Sequence, residues 1–162
     1  MDVTIRPFRE DDAAAVSALT LAAIRVTGPR GYTPEQIDAW AARHPAPERF
    51  IARAAKGDLI CLAVSAADEP LAYYLLEANG HLDMLYCHPD HTGHGLARLL
   101  LAEAELAARA LEIPRLFTEA SELARPVFER AGYRLVARRD FAIPFEGREV
   151  PIHNYAMEKR LA

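Results

Sequence analysis

The longest regular pattern of apolar positions spans residues 82–109, and the rest of the chain is organised around it. An apolar run from Leu82 to Cys87 breaks at His88-Pro89, and a turn holding Gly93 and Gly95 follows. Leu96, Leu99, Leu100, Ala104, Ala107, Ala108 and Leu111 then recur at helical spacing, which predicts a long helix with these side chains inward. Arg98, Glu105 and Arg109 fall on the solvent side, the last two at a favourable i,i+4 separation. Upstream, Val3, Ile5 and Phe8 alternate with polar neighbours and predict a first strand. Asp11 or Asp12 then caps a helix with Val16, Leu19, Thr20, Ala23 and Ile24 on its apolar face, ended by Gly28-Pro29-Arg30-Gly31. Thr33-Pro34-Glu35-Gln36 predicts a second helix with Thr33 as N-cap, Pro34 in the first position and Gln36 closing a capping box. Ile37, Trp40 and Ala41 share one face of that helix, and residues 50–55 fit either a helix end or a strand.

Residues 59–64 and 71–76 read as strands, and Asn79-Gly80 predicts a hairpin into an antiparallel strand beginning at His81. After the long helix, Pro114 marks a stop and residues 115–120 read as a strand. A short helix over residues 126–130 ends at Gly132. Residues 134–141 and 152–157 are two further strands joined by a loop around Glu146-Gly147-Arg148. With no internal repeat and no break in composition, the expectation is one α+β domain (mixed α/β, three layers) over residues 1–162.

Composition changes little in this picture. A 51% hydrophobic, 26% charged chain is ordinary for a globular protein, and a net charge of −4 lacks the basic footprint that nucleic-acid binding leaves. The opening MDVTIRPFRE has no apolar leader core, and no run approaches the ~18 apolar residues of a membrane span. A soluble, cytoplasmic protein without membrane partners is therefore expected. Cys61 and Cys87 both lie in apolar strand-like runs, as buried thiols of a reducing compartment do, and no metal site is expected.

The candidate chemistry sits in the central turn. Strand, glycine turn and helix in that order present several backbone N–H groups at the positive end of a helix, where an anion is held. Two glycines at alternate positions let a bulky anion approach the main chain closely. The Gly-Lys-Ser/Thr of a triphosphate loop is absent, since Leu96-Ala97-Arg98 stands there. The turn also follows a hairpin deep in the chain rather than the first strand of a parallel βαβ unit, which argues against a dinucleotide fold.

Leu85-Tyr86-Cys87-His88-Pro89-Asp90-His91-Thr92-Gly93-His94-Gly95-Leu96-Ala97 resembles the coenzyme A-binding motif of the GCN5-related N-acetyltransferase (GNAT) superfamily: hydrophobic strand, Pro, then Gln/Arg-x-x-Gly-x-Gly/Ala opening a helix. Residues 121–133 and the closing Asn154-Tyr155-Ala156-Met157-Glu158-Lys159 are similar to two later family segments. Tyr32 to Trp40 together with Glu119 to Ser121 resemble a bacterial small-acetyltransferase group. The resemblance implies a central, mostly antiparallel mixed sheet flanked by helices. It also implies acetyl-CoA as cofactor and acetyl transfer to a primary amine of a small molecule or a protein by direct attack. A non-catalytic acyl-CoA-binding or sensing domain of the same fold is the alternative. Homodimers, often formed through the terminal strands, are frequent in that family.

By resemblance, Leu85, Tyr86, Cys87, Thr92, Gly93, His94, Gly95, Leu96, Ala97, Ser121 and Phe128 would bind the cofactor, with the oxyanion donor a backbone N–H near residues 85–87. Two departures stand out. Thr92 replaces the usual Gln/Arg, leaving His91 or His94 as substitutes, and Phe128 replaces the tyrosine that often protonates the leaving thiolate. Strict alternation puts His81, Asp83, Leu85 and Cys87 on one face of their strand. His81 stands where several relatives carry a glutamate base, and it is either that base or a hairpin-edge histidine. Asp83 either binds the substrate ammonium or orients a water as a candidate base, or it forms a structural salt bridge. Tyr133 and Tyr155 are candidate replacement acids or core residues. Tyr32 and Trp40 either wall the acceptor site or pack the helix pair.

Overall fold

A computed structural model describes residues 2–161. The chain forms two antiparallel sheets, with helices on their faces. The first sheet has the order β1 (Thr4–Pro7), β2 (Leu59–Val64), β3 (Pro70–Leu76), β4 (Leu82–Cys87). The second has the order β5 (Arg115–Ala120), β7 (Arg148–Arg160), β6 (Arg134–Phe145). Between β1 and β2 lie α1 (Ala13–Ala22), α2 (Pro34–Ala41) and α3 (Pro47–Lys56); α4 (Leu96–Ala110) joins β4 to β5, and α5 (Arg125–Arg130) precedes β6. This is the α+β layered fold that the apolar pattern predicts.

Each face of the first sheet has its own core. Leu82, Tyr74 and Leu76 pack under Leu96, Leu100, Leu101, Ala104 and Ala108 of α4. On the opposite face, Tyr73, Leu62 and Leu75 meet Val16, Leu19 and Phe50 of α1 and α3. Side chains of β2 and β3 point alternately into two helical layers, which explains why both strands are almost wholly buried.

The N-terminal boundary of α1 differs from the expectation. Asp12 does not cap with its side chain; its carboxylate takes the Arg9 N–H at 2.7 Å and both Nη atoms of Arg6 at 2.8 Å, tying β1 to the helix start. Beyond Ala22 the helical path runs on to the expected end at Gly28-Pro29-Arg30-Gly31. It continues through a π-helical turn, Ala23–Thr27, and a 3-10 turn, Gly28–Arg30. The capping box of α2 forms as read: Gln36 N donates to Thr33 Oγ1 at 3.2 Å, and Thr33 N donates to Gln36 Oε1 at 2.9 Å. The ambiguous residues 50–55 are helical, within α3. On α4, Leu99 and Leu111 are exposed at 43% and 61% while Leu101 is buried, because the sheet contacts the Leu100, Leu101, Ala104, Ala108 face. The terminal strands run further than expected, and Glu146-Gly147, both at positive φ, form a tight two-residue turn between them.

The two sheets are joined at one end. His81, which precedes β4 rather than beginning it, forms a parallel bridge with Phe117. Phe117 N donates to Gly80 O at 3.0 Å, and Thr118 Oγ1 donates to Leu82 O at 2.8 Å. Beyond these contacts β4 and β5 diverge, and the main chain of β4 from Leu85 onward faces an open cleft. Among the described residues, no helix is long and apolar enough to cross a membrane.

Candidate functional site

The cleft between β4 and β5 divides into two cavities. On one side, a groove of about 850 Å³ is lined by Cys87, His91, Thr92, Gly93, Gly95, Leu96 and Ala97, with Arg30, Arg98 and Arg130 around it. On the other, a cavity of about 350 Å³ is walled by Tyr32, Trp40, Phe141, Ile143 and Ile152 and floored by Asp83, Met84, Glu119 and Asn154. Trp40, Leu85, Tyr86, Ser121 and Ala124 line both, so the two spaces join where the strands part.

The groove is built by local sequence. Gly93 and Gly95 adopt left-handed φ values of 79° and 78°, and a Cβ at either would meet nothing within 4 Å. The turn therefore requires glycine for its conformation, and the space above it is open to a ligand. The first ladder bond across this turn runs from Leu99 N to Gly95 O at 3.0 Å. The amides of Leu96, Ala97 and Arg98 thus stand at the positive helix end without an intrahelical acceptor. Together with Arg30, Arg98 and Arg130 they suit a ligand carrying several phosphates. A diphosphate-bearing cofactor fits this groove.

Among the residues expected to bind cofactor, Leu85, Tyr86, Cys87, Thr92, Gly93, Gly95, Leu96, Ala97 and Ser121 line the groove. His94 does not line it, and Phe128 lines the smaller cavity instead. Burial pushes the Cys87 thiol up to about 11, so it is a neutral wall atom at physiological pH. Ser121 Oγ accepts from Ala124 N at 3.1 Å, fixing the turn that opens α5.

The strand alternation expected for β4 is interrupted. Leu75 pairs with Met84 but Leu76 pairs with Leu82, so Asp83 is the extra residue of a β-bulge. Leu82 consequently shares the α4-side core with Leu85 and Cys87, while Asp83 reaches Arg53 of α3 at 2.9 Å. His81 and Asp83 still converge, and together with Glu77 they bring polar side-chain atoms within 4.8 Å of one another. His81 lines neither cavity. Its ring stacks on Phe117, with Nδ1 2.6 Å from Glu77 Oε1 and Nε2 2.8 Å from Glu119 Oε1. The bond to Glu119, reinforced by Glu77 against the cost of burial, pushes the imidazole up to about 9. His81 is thus an imidazolium at neutral pH and has no free position for a proton, which corrects its reading as a general base. The same bond lowers the Glu119 carboxyl below its ordinary range.

These groups form one network. Arg53, Lys56 and His81 face Asp58, Glu77, Asp83 and Glu119. Three cations face four carboxylates in these pairs, Arg139 also acts on Glu119, and two of the carboxylates, Asp83 and Glu119, border the smaller cavity. That floor can hold one ammonium group.

Tyr133 is placed in the core and lines neither cavity, although it packs against Phe128, which lines the smaller one. It is 5% exposed, lies edge-on to Phe128 at 4.9 Å, and its hydroxyl has no partner among the described residues. Tyr155 also packs in the core, with Arg125 over its ring at 4.5 Å. Tyr32 is 7% exposed, donates to His153 O at 2.9 Å and accepts from Glu122 N at 2.8 Å, so it pins the segment leading into α2 to β7 and to the residues just after β5. Trp40 stands 5.5 Å from the Tyr32 ring and 6.5 Å from the Tyr86 ring. Burial pushes the Tyr86 phenol up to about 12.

Sequence reasoning missed Arg30, Arg43, Arg49, Arg130 and Asn154, and it read Glu119 only as part of a strand end. A carboxylate inside a strand next to the motif helix was a usable signal for Glu119. The arginines come from four separate loops and helices, and no local pattern links them.

Residues 30–158 match the family model described as the acetyltransferase (GNAT) domain. A curated relative from Escherichia coli (strain K12), the uncharacterized N-acetyltransferase YafP, is 27% identical over 138 residues, 85% of this chain and 85% of its own length. The crystal structure of a GCN5-related N-acetyltransferase from Rhodopseudomonas palustris is similar with a TM-score of 0.86 and 30% identity, covering 99% of this chain and 97% of that one. The paiA N-acetyltransferase of Thermoplasma acidophilum, solved in complex with coenzyme A, shares the fold with a TM-score of 0.79 at 17% identity, covering 99% of each chain.

Proposed function

The chain belongs to the GNAT acetyltransferase family, and on that premise we propose that it moves an acetyl group from acetyl-CoA to a primary amine bound in the smaller cavity. The observation that carries this reading is the junction: a phosphate-suited groove and an ammonium-suited cavity share Trp40, Leu85, Tyr86, Ser121 and Ala124 where β4 and β5 part. Acetyl-CoA supplies an activated acetyl thioester. Gly93 to Ala97 and the surrounding arginines would hold its phosphates, in line with the coenzyme A complex of the paiA relative. Main-chain groups of β4 around residues 85–87, unpaired on the cleft side, would hold the arm that leads to the junction.

Asp83 and Glu119 would receive the amine as its ammonium ion. Glu119, fixed by His81, is a weak base, and an alkyl ammonium with a pKa of ~10 does not pass its proton to it readily. These carboxylates therefore concentrate and orient the amine, and solvent in the cavity takes the proton. Phe128 offers no proton at its wall, so the residues here act by positioning more than by acid catalysis.

The test is a melting-temperature titration with acetyl-CoA together with a thiol-release assay over an amine panel. Acetyl-CoA should raise the melting temperature of the wild type. Gly95→Glu, which puts a carboxylate at the phosphate cradle, should abolish that rise and lower kcat/KM by at least ~100-fold. No thermal shift at saturating acetyl-CoA would refute the proposal.

A further inference from the structure

Arg30, Arg43, Arg49, Arg98, Arg130 and Arg160 are the arginines that make neither an ion pair nor a side-chain hydrogen bond among the described residues. The others are engaged, including well-exposed ones such as Arg9, Arg134 and Arg138. Three of the six, Arg30, Arg98 and Arg130, border the phosphate groove. Two more, Arg43 and Arg49, border the smaller cavity, where no phosphate of the cofactor is expected. Free guanidinium groups therefore concentrate at both spaces of the cleft.

Their placement is specific. Arg49 lies one turn before Arg53 on the same side of α3, and Arg53 is bonded to Asp83 on the cavity floor. Arg43 follows α2, whose Trp40 stands beside Tyr86. The helical wall of the cavity thus carries two unpaired cations, with His44 between them in the chain, and faces a strand floor that bears Asp83 and Glu119. Trp40, Phe141 and Ile152 supply apolar surface between them. At about 350 Å³ the cavity is at the small end of the range for small-molecule sites, ~300–1,000 Å³.

We propose that the acceptor is a small zwitterionic amine, one that carries an acidic group as well as the amine to be acetylated. Its ammonium group sits on the Asp83–Glu119 floor, its carboxylate or comparable anion on Arg43 and Arg49, and its apolar body against the aromatic wall. The inference rests on the proposed transferase reading and narrows its substrate class. A neutral amine would leave both guanidinium groups without a partner, whereas an acid gains charge-assisted hydrogen bonds that are bidentate at arginine.

The experiment pairs each acid with its neutral carboxamide: L-phenylalanine against L-phenylalaninamide, and 4-(aminomethyl)benzoate against 4-(aminomethyl)benzamide. Two separations between amine and acid are thereby sampled. For at least one pair, kcat/KM should favour the acid by about tenfold or more, and the Arg43→Gln/Arg49→Gln double variant should bring that ratio to about one. Binding supplies a readout apart from turnover. The favoured acid should protect the wild type in thermal melts without acetyl-CoA, and the double variant should lose that protection. Equal or better use of both carboxamides would overturn the proposal, as would faster acetylation of an acid-rich peptide than of either free acid. A positive acetyl-CoA shift accompanied by such results would sink the zwitterion alone. Absence of the acetyl-CoA shift would sink the transferase reading beneath it.

Discussion

His81 is held between two carboxylates, and its stability contribution follows from that geometry. Its folded pKa, about 9, lies above the ordinary 6.5. The contribution is therefore complete below about pH 6.5 and is lost as pH rises through 9, with an upper bound of ~3 kcal/mol. His81→Gln, which keeps hydrogen-bonding capacity without the charge, should show a flatter stability profile across that window. Chemical denaturation at about pH 6, 7.5 and 9.5 checks this, and parallel profiles for the two proteins would contradict it. Seen from Glu119, whose carboxyl is lowered by the same bond, the pair weakens as pH falls through its depressed carboxylate range. Sequence placed His81 near the reaction centre but could not give its charge. That depended on Glu119, 38 residues away along the chain, which only the sheet junction brings within 2.8 Å.

At the scale of elements, the hairpin between β3 and β4 controls the cleft. Asn79-Gly80 was legible as a turn because its residue types specify φ > 0, and Gly80 indeed has φ +95°. The bulge at Asp83 was not legible, since period-2 alternation assumes a continuous ladder and nothing in LDMLYC marks a break. The same contrast separates the α2 capping box, decided within four residues, from the π-helical turn at Ala23–Thr27, which no local residue pattern marks. Gly80 is also where the two sheets touch. A Cβ there would stand 2.1 Å from Arg115 O, at a φ that L-residues rarely adopt. Gly80→Ala should therefore cost ~2–4 kcal/mol, well above the ~1 kcal/mol of a strained loop glycine, and show up as a lower thermal midpoint. A midpoint within a degree of wild type would mean that β4 and β5 are not held together through this contact.

Across the whole molecule, the fold converts two features distant in sequence into adjoining spaces. Layer architecture and element order could be read from apolar periodicity because each helix and strand buries one predictable face. The cofactor groove was largely legible too, since its cradle is a contiguous strand–turn–helix. The smaller cavity was legible only in part: Tyr32, Trp40 and Asp83, read as candidate wall and amine-site residues, do line it, but its other walls come from α3, β5, β6 and β7 and its charges are paired only in three dimensions. On the proposed reading, specificity for the amine is a property of assembly, while affinity for the phosphates is largely a property of one segment.

Trp40, the one tryptophan in the chain, borders both spaces. Its indole is partly solvated and lies beside the Tyr32 and Tyr86 rings. Filling either space should strip water from it, so its fluorescence should shift to shorter wavelength on titration with acetyl-CoA, and again when an acceptor is added. The Gly95→Glu protein should lack the first shift, and an emission spectrum insensitive to saturating acetyl-CoA would contradict the shared junction. The chain therefore carries its own optical probe, through which the order of filling of the two chambers can be followed in real time without a label.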